Sequence, residues 1–546
     1  MLITDEFDGV RTFHVPTPRP TLHAVLRFRA GMVDETLPTS GWLHLLEHLA
    51  LHDMGTATLA VQGTTELLTT TFQFDGPPEE VSEALQRLTA WFADPDLSRA
   101  EHESGVLQAE ARLRRGSAAG RALGERYGAV GPGLASYDEP GLARAEQAAL
   151  RELCARVFTR GNATLALYGS PPDGLRLNLP GGQLQPIPVA VETPDPRPAG
   201  YRISPGGFVL SGVIDRGHVP LSSLLARAIN EVFRTMDGVA YAPWSSYEAV
   251  DRMQAVVFGG ADVPDELGPQ LVKSIRRATA LLHDRDWTRK AIDEMRARAR
   301  QEAQDERTAG VLPARAGHAY LTGQPIVASI DDMLEETLSP DAEALSRAVA
   351  RFEGSLLMGV GPSVEWKQRM PMSTQPTEKL AVAGATHRAR GWPMETSFLA
   401  VDVDGVSAGS DSTHVVAPFA ALAGVLTYPD GARTLIKRDG WYLHVEPTLW
   451  ADGQKAIAAI DATVPSSITL PMPARRADEI PSPPRLHQVM WFIVQRIWLP
   501  VVCVAGLLLV VWLILEYDIN PRYAFVPLLT GAVSMIIART REKSAS

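Results

Sequence analysis

The stretch Gly41–Leu51 reads GWLHLLEHLAL and contains the pattern H-x-x-E-H inside an apolar run. On a helix, positions i and i+4 lie roughly 40° apart around the axis, so His44 and His48 share a face with Glu47 beside them. Two neutral imidazoles can bind zinc and leave positions for a third protein ligand and a water. A nearby carboxylate can take a proton from that water. The pattern predicts a zinc site with Glu47 as the general base.

The flanking sequence decides between this site and two ordinary hydrogen-bonded histidines on an amphipathic helix. Ala24–Phe28 alternates like a strand, Gly31–Glu35 supplies a turn of the form G-x-x-x-E, and Gly55-Thr56 follows the predicted helix. Together with H-x-x-E-H, these segments resemble the pitrilysin/insulinase family, which includes the mitochondrial processing peptidases. The resemblance implies a zinc metallopeptidase of the inverzincin type.

The segment Glu103–Glu110 resembles the second-helix signature of that family, E-x6-E. Seven residues are nearly two helical turns, so both carboxylates share one face. The resemblance implies that Glu110 is the third zinc ligand and that Glu103 supports catalysis from close by. The separation from His48 is shorter than the family's, which a trimmed hairpin would explain. Glu125 lies nearer the usual separation, but its surroundings lack the signature, so it is the lesser alternative.

Leu67–Phe74 is rich in β-branched and aromatic residues and is predicted to be a strand. The family pairs the edge of such a strand with an extended peptide substrate. A helix and strand over 150–169 resemble the end of the family's first domain, and a proline-rich linker follows. We therefore expect a catalytic domain over residues 1–185.

A second, non-catalytic domain of similar fold is expected over residues 200–365. Arg234 and Tyr241 match the family's R-x6-Y element, which implies that they bind the substrate backbone or the reacting carbonyl across a chamber. The alternatives are a cation at a helix C-terminus for Arg234 and a strand aromatic for Tyr241. The predicted fold class is α+β, with two similar α/β domains forming a clamshell. Since family enzymes assemble four such domains, a homodimer or a paired partner chain is implied.

Residues 395–465 change character to short alternating runs separated by Asp-Gly turn signals. A small β-rich module closed by a helix at Asp452–Val464 is expected, and it resembles bacterial pleckstrin-homology-like domains. Residues 466–486 are rich in proline and are predicted to form a semi-rigid linker.

A transmembrane hairpin is predicted over residues 490–539. Ile497–Leu515 is uncharged and long enough to cross the bilayer, and Tyr523–Ala538 is a shorter return span. Lysine and arginine flank the spans on the side of the large domains, and Met1–Phe7 has no export signal. We therefore expect a multi-pass protein of the bacterial cell membrane, anchored in the lipid bilayer, with its large domains in the cytoplasm.

Composition agrees with this organisation. The chain has 546 residues, of which 45% are hydrophobic, so several folded modules can each bury a core. Its formal net charge of −11 argues against binding nucleic acid. With only two cysteines, disulfides are not expected. The leading hypothesis is a zinc endopeptidase acting on peptides or short unfolded segments; the alternative is a catalytically silent peptide-binding or scaffolding subunit of a membrane complex.

Overall fold

The computed structural model describes most of the chain up to residue 483. The described residues are 2–483, without 53, 114–116, 204–206, 219, 239–241, 265, 267, 304–308, 339–341, 363, 367–369, 391–396 and 411, together with 508, 512 and 516. Apart from 508 and 512, the expected membrane spans lie outside this set, as does Tyr241. Among the described residues, no helix combines the length and the apolar character needed to span a bilayer.

The first domain is built on a six-stranded sheet with the order β1-β2-β6-β3-β5-β4. Its strands are β1 Ile3–Phe7, β2 Val10–Val15, β3 Leu22–Phe28, β4 Ala60–Thr65, β5 Thr70–Gly76 and β6 Ala163–Tyr168. Strand β6 pairs in parallel with β2 and antiparallel with β3, and all its residues are buried. A run such as ATLALY suits this central position because both faces of the strand are covered.

The described part of the first domain contains five α-helices. They are α1 Trp42–Leu51, α2 Pro78–Ala93, α3 Ala100–Leu113, α4 Ala118–Tyr127 and α5 Gln147–Val157. Aromatic side chains join α2 and α5 to the sheet: Phe92 stacks on Phe158 with ring centroids 4.3 Å apart, and Phe28 meets Phe158 edge-on at 5.0 Å. Helix α1, which carries the H-x-x-E-H pattern, packs against β4 and α3.

The edge strand beside α1 differs from the sequence prediction. The predicted strand Leu67–Phe74 is β5, but it runs from Thr70 to Gly76 and is paired on both sides, with β3 and with β4. Strand β4 is the outer strand of the sheet in the described part of the chain. It begins at Ala60, shortly after α1 ends at Leu51.

The second domain repeats the topology of the first. Its five-stranded sheet has the order β7-β11-β8-β10-β9. The strands are β7 Ala199–Arg202, β8 Phe208–Asp215, β9 Trp244–Ala249, β10 Gln254–Ala261 and β11 Leu357–Val360. In both sheets the last strand inserts between the first and second strands of the repeat, parallel to one and antiparallel to the other. The structure thus contains the two similar α/β units that the resemblance implied, with β9 in the position of β4.

The helices of the second domain include a link back to the first. They are α6 Pro220–Ile229 with a π-helical extension Asn230–Met236, α7 Gly268–Leu281, α8 Arg285–Glu302, α9 Val311–Thr322, α10 Ile330–Leu338 and α11 Ala342–Gly354. Helix α9 packs on β2 and β6 of the first domain, where Arg27 Nη1 donates to the Ala314 carbonyl at 3.0 Å. The fully buried Arg126 likewise donates to the carbonyls of Ser211 and Ser355 at 2.9 and 2.8 Å. The two domains therefore form one packed unit.

The C-terminal module contains two four-stranded sheets, β12-β13-β14-β15 and β18-β17-β16-β19, and a helix. Its elements are β12 Ala385–Arg388, β13 Phe398–Val401, β14 Gly405–Ser410, β15 Thr413–Pro418, β16 Leu422–Thr427, β17 Arg433–Lys437, β18 Tyr442–Val445, α12 Gly453–Thr463 and β19 Thr469–Pro471. Strands and a closing helix lie in the segment where the sequence predicted a β-rich module, although β12 begins at Ala385, before the expected boundary at residue 395. Strand β19 extends the module into the segment expected to be a linker, because it pairs in parallel with β16.

This module packs against the first domain. Leu470 and Ile436 share a buried cluster with Leu37 and Leu134 of the first domain. The guanidinium of Arg144 donates to the carbonyls of Ser466, Ser467 and Thr469 at 2.7 to 2.9 Å. The module contacts short 3-10 segments that lie beside α1. It therefore supports the region that carries the predicted metal site.

Candidate metal centre

The helix with the H-x-x-E-H pattern has an unusual start. Gly41 adopts the left-handed conformation (φ +87°) immediately before α1, which a glycine reaches without steric cost. The carboxylate of Glu35 accepts hydrogen bonds from the N–H groups of Gly41 and Leu43 at 3.0 and 2.8 Å. Helix N-termini have unsatisfied N–H groups, and a carboxylate stabilises them. The G-x-x-x-E turn noted in the sequence thus serves to cap α1.

The two histidines lie together as the helical spacing predicted. Their rings meet edge-on with centroids 4.9 Å apart. Candidate ligand atoms of His44, Glu47 and His48 all lie within 4.8 Å of one another. Ligands of one tetrahedral zinc ion lie roughly 3.4 Å apart, so the two imidazoles are near enough to share a metal ion, with Glu47 beside it. The donor set fits zinc, which favours imidazole nitrogen and carboxylate oxygen.

Each histidine faces a carboxylate through Nδ1. His44 Nδ1 lies 2.9 Å from Glu139 Oε1, and His48 Nδ1 lies 3.8 Å from Glu103 Oε2. Arg99 also reaches Glu103 at 3.3 Å. A carboxylate at Nδ1 directs the role of metal ligand to Nε2, the usual arrangement of zinc-binding histidines. Burial, followed by the nearby His44, lowers the pKa of His48, which favours the neutral imidazole that binds metal.

Burial is the largest influence on the pKa of Glu47, which it raises, and on the pKa of His48, which it lowers. Glu110 lies on α3, close enough for its charge to raise both pKa values. Glu110 is not part of the cluster of His44, Glu47 and His48, whose candidate ligand atoms lie within 4.8 Å of one another. To complete a three-ligand set, its side chain must move toward the histidines. Glu125 is in a different environment on α4, where its partners are Ser373 and Arg197. This placement favours Glu110 over Glu125 as the third ligand.

Glu47 is buried on the sheet side of α1. Its Oε2 accepts a hydrogen bond from Thr65 Oγ1 of strand β4 at 2.8 Å. Burial raises the pKa of Glu47, while the Thr65 bond and the nearby His44 oppose the rise. A carboxylate whose pKa is raised toward neutrality is a better proton acceptor than an ordinary glutamate, which suits the predicted role of general base.

The other predicted residues lie elsewhere. Arg234 is in the π-helical segment that extends α6 in the second domain, a segment that packs against α6 and α7. Its predicted partner Tyr241 is outside the described residues. Two further histidines lie nearby in the chain: His52 follows the last residue of α1, and His102 is exposed on α3.

Sequence reasoning missed two contributors to the site, Glu139 and Thr65. Glu139 is 95 residues from His44 in the chain, and no local pattern marks it. Thr65 lies in β4, just before the strand that the sequence predicts. Its position in β4, opposite Thr70 of β5, would have followed from a correct choice of the edge strand.

No protein-family model and no curated protein matches the sequence. Solved structures do match. An M16 peptidase inactive domain from Pseudomonas fluorescens aligns with 68% of this chain and 98% of its own length, at 13% identity and a TM-score of 0.53. A putative M16-like peptidase from Alicyclobacillus acidocaldarius aligns with 68% and 98%, at 15% identity and a TM-score of 0.51.

The first half of the periplasmic protease PqqL from Escherichia coli covers 66% of this chain and 91% of its own, at 15% identity and a TM-score of 0.50. At identities this low, the similarity shows the fold alone. The activity has to be argued from the residues of the site. One of these similar structures is an inactive domain, so the fold alone does not distinguish an enzyme from a silent homologue. The shared architecture is that of M16 peptidase domains, and this chain has that fold.

Proposed function

We propose that the chain is a zinc-dependent endopeptidase that cleaves peptides or short unfolded segments. The observation that carries the proposal is the cluster of His44, Glu47 and His48 on one buried helix, with Glu47 held by Thr65. The M16 peptidase fold supports it. His44, His48 and Glu110 would hold the metal.

The residues of the site divide the chemistry among them. Zinc, when bound, lowers the pKa of a coordinated water and polarises the peptide carbonyl. Glu47 accepts the proton that the attacking water loses and delivers it to the amide nitrogen as the peptide bond breaks. Glu103 keeps the imidazole of His48 oriented through Nδ1.

Strand β4 is the proposed binding site for the peptide backbone. It is the outer strand of its sheet in the described part of the chain, and it carries Thr65 beside the general base. An extended peptide added to such an edge is held by backbone hydrogen bonds, which do not depend on side-chain identity. This mode suits unfolded segments, because folded substrates do not present a free backbone.

The remaining parts of the proposal concern assembly and location. Arg234 and Tyr241 would bind the substrate backbone or the reacting carbonyl across a chamber, and a second copy or a paired partner chain would supply the other two of its four domains. The apolar run Ile497–Leu515, with Tyr523–Ala538 as its return, would anchor the chain in the cell membrane with the large domains in the cytoplasm.

Zinc analysis and peptide cleavage test the function together. Purified protein should contain about one zinc per chain, as expected for one catalytic site. Glu47→Gln should retain the metal and lose cleavage of unstructured peptides by about 10²- to 10⁴-fold, the usual contribution of a general base. Glu152→Gln, an exposed carboxylate on α5, is the matched control. Wild-type protein that binds peptides without zinc and without cleaving them would instead be a silent binding subunit.

A further inference from the structure

Glu139 contacts the first histidine of the motif helix from a distant part of the chain. Its Oε1 lies 2.9 Å from His44 Nδ1, and both side chains are largely buried, with exposed fractions of 14% and 12%. We propose that Glu139 is a positioning residue that fixes the ring orientation and tautomer of His44, and thereby sets the affinity of the site for zinc. The inference rests on the proposed zinc site.

The backbone at Glu139 is held in a conformation that glutamate rarely adopts. Its φ and ψ are +49° and +52°, in the left-handed region, just before the 3-10 helix Pro140–Arg144. Non-glycine residues are uncommon there because the side chain crowds the backbone. Residues kept in such conformations cluster at functional sites, where the surrounding structure compensates for the strain. A glutamate at this position therefore points to a use for its side chain.

On the side of the motif helix, Gly41 leaves room for the side chain of Glu139. A Cβ added at Gly41 would lie 2.7 Å from the Cβ of Glu139, closer than real side chains approach. Gly41 therefore serves two purposes: it reaches the left-handed conformation before α1, and it leaves room for the carboxylate that meets His44.

The electrostatics suit a site for a cation. The second oxygen of Glu139, Oε2, is buried and has no hydrogen-bond partner within the described part of the chain. The charge of a buried carboxylate is costly unless it is compensated. A dication held by His44 would supply that compensation, and the carboxylate would in turn increase the basicity of the imidazole. Glu139 would thus do for His44 what Glu103 does for His48, at a shorter distance.

The contact also explains how a remote part of the chain could influence the metal site. The segment that carries Glu139 is followed by Arg144, which donates to three carbonyls of the C-terminal module. The 3-10 helix that follows Glu139 is therefore anchored to the C-terminal module at its end.

The test is the zinc affinity of the full-length chain, measured by competition with a chromophoric chelator. Glu139→Ala removes the acceptor, and we expect zinc to bind about 10- to 100-fold more weakly, the usual effect of losing such a partner. Glu139→Gln keeps an oxygen that can accept from Nδ1–H and should recover part of that loss. Asp138→Ala, an exposed neighbour, should stay within about twofold of wild type.

The absorption spectrum of the cobalt-substituted protein supplies a readout that a purely structural role would not move. The visible bands of Glu139→Ala should shift, because the orientation of His44 changes, while those of Asp138→Ala should not. If Glu139→Ala cannot be purified folded, Glu139→Gln carries the test alone. Zinc affinity and cobalt spectrum both equal to wild type in the folded variant would overturn the inference.

Two further outcomes separate this inference from the proposed function. Complete loss of zinc in Glu139→Gln, as severe as in His44→Ala, would make Glu139 a ligand and contradict the positioning role. Wild-type protein that fails to bind zinc at all would refute the proposed function itself, whatever the variants do.

Discussion

The carboxylate of Glu35 accepts a hydrogen bond from the backbone N–H of Leu43 at 2.8 Å, inside the first turn of the motif helix. A second bond, from Gly41, makes Glu35 the cap of that helix. Burial is the main reason that the pKa of Glu35 rises to about 8, and its two backbone hydrogen bonds only partly oppose the rise. The helix that positions both histidines is therefore capped by a carboxyl group, that of Glu35, which titrates near neutral pH.

Glu35→Gln should change how stability depends on pH. Between about pH 4.5 and pH 8 the folded protein keeps a proton on Glu35 that the unfolded chain has released. The stabilisation from that proton is fully present below the pKa that Glu35 has in the unfolded chain. It is lost as the pH rises through the pKa that Glu35 has in the folded protein. The Tm of metal-free wild type should therefore fall relative to Glu35→Gln across this window. A difference in Tm that stays constant with pH would contradict the assignment.

Thr65→Val should shift the pH dependence of cleavage. The Thr65 hydroxyl stabilises the ionised form of Glu47, so its removal raises the pKa of Glu47 further. The acid limb of the kcat/KM profile should then move to higher pH, with activity lost mainly on the acid side. Thr64→Val is the control, because the Thr64 hydroxyl donates to the Gly63 carbonyl instead. An unchanged acid limb in Thr65→Val would mean that another group controls it.

Zinc content should distinguish the two candidate third ligands. Glu110→Gln should lose stoichiometric zinc, because Glu110 lies near His48 and Glu47 on α3. Glu125→Gln should keep it, since Glu125 lies on α4, where the charge of Arg197 acts on it. Metal analysis after dialysis gives the answer. Full occupancy in Glu110→Gln with loss in Glu125→Gln would reverse the ligand assignment.

Leu470→Ala should destabilise the first domain as well as the module. Leu470 is fully buried against Leu37, two residues beyond the Glu35 cap. Removing a buried leucine side chain typically costs about 2 to 5 kcal/mol. Leu380→Ala is the control, because that leucine is 82% exposed and should change stability by less than about 0.5 kcal/mol. Thermal unfolding followed together with zinc release would show whether the metal site loosens with the module.

Truncation after residue 483 should release the protein from membranes while keeping its peptidase activity. All the site residues precede this point, and the chain up to it retains β19 and its packing against the first domain. Truncation near residue 390 should perform worse, since it removes Leu470 and Ile436 from the contact with Leu37. Fractionation and cleavage assays of the two shortened chains, beside full-length protein, provide the measurement. A 483-residue protein that stays with the membrane fraction would argue against the proposed anchor.

The sequence by itself determined the local part of the site. Helical periodicity places His44, Glu47 and His48 on neighbouring positions of one turn, and this follows from backbone geometry alone. The G-x-x-x-E turn before the helix and the E-x6-E spacing on α3 are likewise short-range patterns. Alternating runs and Asp-Gly turns were sufficient to predict the β-rich module, because hairpins are specified by adjacent residues.

Only the tertiary structure decided which distant groups meet. The carboxylate that contacts His44 belongs to Glu139, and the hydroxyl that donates to Glu47 belongs to a residue of an edge strand. Strand β19 extends a module that was expected to end earlier. The resemblance implied two similar α/β domains, and the sheets themselves show the repeated strand order. Such contacts depend on how sheets and helices pack across long separations in the chain. Packing is set by the fit of whole surfaces, which no local pattern of residues encodes.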